Sequence, residues 1–154
     1  MGGQRQISAT FAATLMAVLV ASCASRPSAH TSDGVDRAKV FMASYGTELR
    51  NGDRVALAAR YHPDGSYAVG DGKKAYETHD QTAAFYLSEW QPPQAFEWQD
   101  LSFEPVGSGA IAVIGKFKWQ GAGAAEGTIH SYSAVLVPVA GQLKIRVEDE
   151  SGAE

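Results

Sequence analysis

The sequence predicts an α+β domain in which helices come first and an antiparallel sheet follows. Three observations carry this reading. Val35, Ala38, Met42, Tyr45 and Leu49 recur at three- and four-residue spacing, with Phe41 widening the stripe, as on an amphipathic helix. Residues 41–72 then read as the end of that helix, a break, a short second helix and a first strand. From Phe96 onward, apolar residues mostly recur at every second position, in segments separated by glycine-bearing turns. Helices set apart from a run of strands make the α+β pattern.

Each element has a local reason. Asn51-Gly52 tolerates the left-handed backbone that ends a helix, and Asp53 can cap the next one. Val55, Leu57, Ala58 and Tyr61 give the second helix an apolar side, and Pro63 stops it. Asp64-Gly65 turns the chain into a strand over 66–69, and Gly70-Asp71-Gly72 turns it again. Thr78 and Gln81 form a capping box for a third helix. That helix is expected to reach Trp90, with Ala83, Ala84, Leu87 and Trp90 inward and Phe85 or Tyr86 beside them, before Pro92-Pro93. Four strands in a meander follow. In the first, Phe96 and Trp98 share one face and Leu101 and Phe103 the other, so a β-bulge is expected near Asp100. In the third, His130 and Tyr132 share a face expected to be the outer one, opposite Ser131 and Ser133. In the last, Leu143, Ile145, Val147 and Asp149 share the inward phase, with Lys144, Arg146, Glu148 and Glu150 opposite.

The 154 residues suit one domain, and a lone cysteine, Cys23, excludes a disulfide framework. The formal net charge is −4 and no Lys/Arg run occurs, which argues against a nucleic-acid partner. Arg5 precedes an apolar stretch over 7–20, the length of a secretory leader's hydrophobic region and short for a membrane span. Val20-Ala21-Ser22-Cys23 follows and resembles the lipobox of bacterial lipoproteins. The expected organisation is a lipoprotein signal peptide over 1–22, a flexible tether over 23–34 and a folded domain over 35–151. The resemblance implies lipidation of Cys23. With Ala24 rather than Asp next, it also implies an outer-membrane lipoprotein facing the periplasm.

The order of elements carries a second likeness. A helix, Arg50-Asn51-Gly52-Asp53, a short helix ending Tyr61-His62-Pro63-Asp64-Gly65, a strand, a capped helix and four strands closing on residues 143–151 resemble the nuclear-transport-factor-2-like superfamily. The SnoaL-like and ketosteroid-isomerase-like groups are the nearest. The resemblance implies a cone, a strongly curved antiparallel sheet with about three helices on its concave side. It also implies a homodimer. The isomerase chemistry uses a carboxylate base with a tyrosine and a protonated acid as oxyanion donors. On this resemblance Tyr45 occupies the tyrosine position, Val69 the base position and Ser133 the region of the acid. Valine takes no proton, so that reaction is not expected by that route.

Candidate pocket residues are Tyr45, Tyr61, Val69, Trp98, Ser133 and Asp149, and candidate catalytic residues are Tyr45, Asp149 and His130. Each has a plainer alternative. Tyr45 suits a core stripe as well as a pocket, and Asp149 could be solvated past the end of its strand. Four scattered histidines lack the spacing of a metal site, so neither metal nor cofactor is expected. The expected function is a membrane-anchored pocket protein of the cell envelope. It would bind a small, largely apolar molecule or a partner without chemistry. The alternative is an isomerase or cyclase/hydratase-like enzyme using an acid or histidine on the last strands with Tyr45.

Overall fold

A computed structural model describes residues 29–70 and 72–152. Cys23 and the leader lie outside them. The domain is α+β: three helices and one six-stranded mixed sheet that does not close. The first helix, α1, is Ala29–Asn51. It takes in the second part of the stretch read as a tether, whose remainder lies outside the described residues. Its predicted stripe is the buried one: Ala38, Phe41, Met42, Tyr45 and Leu49 all lie in the core. Gly52 follows at φ +66°, and the Asp53 side chain accepts from the Ala56 amide to cap α2, Arg54–Ala58. No helix among the described residues is long and apolar enough to cross a membrane.

The strands are β1 Ser66–Gly70, β2 Lys73–Glu77, β3 Ala95–Pro105, β4 Ile111–Gln120, β5 Thr128–Val139 and β6 Gln142–Gly152. Their order across the sheet is β2-β1-β6-β5-β4-β3, and only β1 and β6 run parallel. β2 is an addition to the sequence reading, which passed from the Gly70–Gly72 turn directly to the capping box. The indole Nε1 of Trp98 donates to the Met42 carbonyl at 2.9 Å, pinning α1 to β3. Gly46 makes room for it: a Cβ there would lie 2.7 Å from that nitrogen.

Three irregularities decide which side chains face inward. On β3 the register shifts between Gln99 and Ser102, with Asp100 at φ +52°, so the expected bulge is there. It returns Leu101 and Phe103 to the core side already occupied by Phe96 and Trp98. On β6 Val147 pairs with Val135 and Ile145 with Leu136, which leaves Arg146 as an extra residue. In the third helix, α3 (His79–Ala84), the capping box forms as expected, but residues Phe85–Glu89 widen into a π-helical stretch. The Trp90 amide bonds back to the Phe85 carbonyl at 2.9 Å. The inward set expected there holds in part: Ala83 and Trp90 pack inward with Tyr86 beside them, while Ala84 and Leu87 do not. Thr82, Tyr86 and Trp90 are buried, whereas Leu87 is 52% exposed. Such π-helical insertions often mark functional positions.

Candidate functional site

A cavity of about 660 Å³ lies between the inner face of the sheet and the α2–α3 side of the molecule. Aromatic side chains make up a large part of its wall, among them Tyr67, Phe85, Trp90, Phe96, Phe117 and Trp119. Charged or titratable groups are few, namely Lys73, Glu77, His130, Glu148, Glu150 and four tyrosines. Size and lining suit a small organic molecule.

One end of the cavity is built around Glu148 of β6. Tyr132 of β5 donates to its Oε1 at 2.8 Å, and Tyr45 of α1 reaches the same oxygen at 3.3 Å. Tyr61 donates to Oε2. Tyr86, carried by the π-helical stretch, shares a hydrogen bond of 2.8 Å with Tyr61 and a longer one with Tyr45. Tyr45 and Tyr61 hydroxyls are 3.2 Å apart. Four elements and the segment after α2 that carries Tyr61 therefore meet through four phenols and one carboxyl. Tyr61 is fixed by backbone as well: the His62 amide donates to the Ile145 carbonyl, and the Ile145 amide donates to Arg60. No buried side-chain nitrogen or oxygen among the described residues lacks a partner.

The electrostatics of this cluster follow from its dryness. Burial raises the Glu148 carboxyl above its ordinary value, and hydrogen bonds from Tyr61, Tyr132 and Tyr45 oppose that rise. Burial comes first, then the Glu148 charge, in holding Tyr45, Tyr61, Tyr86 and Tyr132 above the usual phenol range. The phenols thus stay protonated and act as donors. Among the described residues no Lys or Arg forms an ion pair with Glu148. Glu150 lies on the same face, nearer water. Desolvation within the cavity, then the Glu148 and Asp149 charges, push its carboxyl toward about 8. Its own exposed surface limits that rise.

The residues singled out from sequence fall into two groups. Tyr45, Tyr61, Val69 and His130 line the cavity. His130 and Tyr132 were expected on the outer face, and both turn inward. His130 stacks on Phe117 with ring centres 5.0 Å apart, and Tyr132 is fully buried. Trp98 packs into the core beside Tyr132 instead of lining the cavity. Ser133 and Asp149 pair across β5 and β6 on the other face, and neither lines the cavity. Asp149 accepts from the Ser151 hydroxyl at 2.8 Å. The reason is the extra residue at Arg146, which moves the inward phase from Asp149 to Glu148. Glu148, Glu150 and Tyr86 were not singled out as site residues. The only sequence signal for the acids was three carboxylates in a row, 148–150, in a strand otherwise alternating apolar and basic residues.

Comparison with solved structures places this architecture. A nuclear-transport-factor-2-like protein of unknown function from Shewanella oneidensis superposes with a TM-score of 0.65 at 13% identity, covering 75% of this chain and 97% of that one. A protein named provisionally as a scytalone dehydratase, from Novosphingobium aromaticivorans, gives 0.61 at 13% identity over 81% of this chain and 87% of its own. One named provisionally as a ketosteroid isomerase, from Parabacteroides distasonis, gives 0.60 at 14% identity over 73% and 86%. No protein-family model and no curated protein matches the sequence. The chain has the nuclear-transport-factor-2-like fold, with SnoaL/scytalone-dehydratase-like and ketosteroid-isomerase-like proteins among its structural neighbours. Several of those neighbours are themselves of unknown function.

Proposed function

We propose that this chain is a pocket protein of the cell envelope that binds a small, largely apolar molecule without transforming it. One observation carries the reading: an aromatic-walled cavity of about 660 Å³ ends on a carboxyl already engaged by three phenols. A carboxylate has about four acceptor positions. With three filled, Glu148 is better suited to fixing one end of a ligand than to taking a proton from carbon. Val69, in the wall, has no proton to exchange. The test is a thermal-shift screen of the purified full chain against apolar metabolites. A ligand that raises Tm with rising concentration supports binding; a library that leaves Tm unchanged at millimolar concentration removes the proposal.

The address is part of the same proposal. Export and lipidation of Cys23 would hold the domain at the periplasmic face of the outer membrane, each buried methylene adding about 0.8 kcal/mol. Cys23→Ser should then shift the protein from the membrane to the soluble fraction. Two copies would pair through the outer face of the sheet, where Ile114 is 54% exposed. Light scattering of the purified protein would give twice the monomer mass.

A second reading, an isomerase or cyclase/hydratase-like enzyme, has one observation in its favour. An acid on the last strand shares a hydrogen bond with Tyr45. Incubation with cyclohexanone in heavy water, followed by proton NMR, tests it. Exchange of the protons next to the carbonyl faster than in buffer, and lost in Glu148→Gln, would favour the enzyme.

A further inference from the structure

We infer that the cavity selects a lipophilic cation, an amine or quaternary ammonium whose charged end sits among the tyrosines above Glu148. This deepens the pocket reading and rests on it. Three features of the cavity point the same way. First, Glu148 is 8% exposed and, among the described residues, has no Lys or Arg partner. Phenols supply it with hydrogen bonds but no compensating charge, and a buried carboxylate without a cation is costly. A ligand ammonium supplies what the fold leaves out.

Second, the charges that line the cavity are unbalanced. Glu77, Glu148 and Glu150 face it against Lys73 alone, with His130 as the remaining titratable group besides the phenols. An anionic ligand would meet repulsion from two glutamates of β6. A neutral one would gain hydrogen bonds from them but no charge pairing. Third, the wall beside Glu148 is aromatic, and aromatic rings attract cations. Tyr61, Tyr86 and Trp90 lie in successive contact, with centres 5.6 Å apart in each pair. Trp119 approaches Trp90 at 6.3 Å and closes the same side. Cation–π attraction is strongest for tryptophan and adds to the carboxylate's pull when water is excluded. The aliphatic end of the ligand would rest on Leu49 and Val69.

The experiment compares three molecules of nearly equal shape on the purified full chain: phenethylamine, phenethyl alcohol and phenylacetate. The readout is the fluorescence of Trp90 and Trp119, both in the cavity wall. The amine should bind about tenfold or more tightly than the alcohol, as expected when a cation gains a desolvated partner, and phenylacetate should bind worst. Glu148→Gln should erase the amine's advantage over the alcohol. Glu150→Gln, at an exposed position, should reduce it without threatening the fold. The alcohol binding as tightly as the amine in the unaltered protein would overturn the cation assignment and leave the pocket reading intact. No response to any of the three at millimolar concentration would overturn both.

Discussion

Before its extra residue, β6 turns Leu143 and Ile145 into the core; after it, the same strand turns Glu148 and Glu150 to the cavity. The two halves share one backbone and differ in what they face. The first half lies under α1 and is locked to the Arg60–His62 segment by two backbone hydrogen bonds. The second half faces phenols delivered by other elements. A single inserted residue at Arg146 thus separates a core half from a cavity-lining half. It lets two acids take an inward phase that regular alternation would have given to Asp149.

The comparison can be broken most severely at its core end. Ile145 is fully buried. Ile145→Ala should destabilise the protein by about 2–5 kcal/mol through lost transfer energy and the cavity left behind. Urea denaturation measures it, and a loss below about 1 kcal/mol would show that the strand's first half is not core. At the other end Tyr132→Phe keeps the ring and removes one donor to Glu148. The expected cost is about 1.5–3 kcal/mol, the range for a hydrogen bond to a charged group. The variant's denaturation curve should shift by less than that of Ile145→Ala, and the order of the two separates packing from polar support.

Acidity sharpens the same contrast. A carboxyl whose value is raised by folding keeps its proton in the folded chain at a pH where the unfolded chain has lost it. Stability from such a group is full below its ordinary value and falls as pH rises. Glu148 and Glu150 are both raised, and for Glu150 the window runs from 4.5 to about 8, softened by its contact with water. The groups around Glu148 are Tyr45, Tyr61, Tyr86 and Tyr132, all raised further above neutrality, with Glu150 on its own strand. Tm of the unliganded protein should therefore fall from pH 4.5 toward pH 8 more steeply than in Glu150→Gln. Parallel curves would mean that Glu150 is not the group being titrated.

Local features were legible in the sequence because their causes are local. The α1 stripe, the Asn51-Gly52-Asp53 break and the Thr78–Gln81 box each lie within a few residues and formed as expected. The bulge near Asp100 was legible because large apolar residues on both sides of it exposed the change of phase. The bulge at Arg146 was not, since Val147 continues the apolar alternation through it and hides the shift. β2 was missed because Lys73–Tyr76 is an exposed edge with no apolar alternation to read. Tyr45 and Tyr61 were candidate pocket residues, but the tyrosine cluster as a whole had no local signature. Its members lie at 45, 61, 86 and 132, and only tertiary packing, including the π-helical widening after α3, brings their hydroxyls together.

The smallest expected effect isolates that error. Asp149 is the residue that unbroken alternation points at the cavity, and Glu148 is the one the insertion puts there. Asp149 pairs opposite Ser133 and Val69 and accepts the Ser151 hydroxyl, a bond that the amide oxygen of asparagine can also accept. Asp149→Asn should change stability by no more than about 0.5 kcal/mol, the usual range for a substitution away from core and caps. It should leave ligand-induced quenching of Trp90 and Trp119 within error of the unaltered protein. A loss of quenching in Asp149→Asn, with Glu148→Gln silent, would mean that β6 runs without its extra residue and that the two faces of its second half are exchanged.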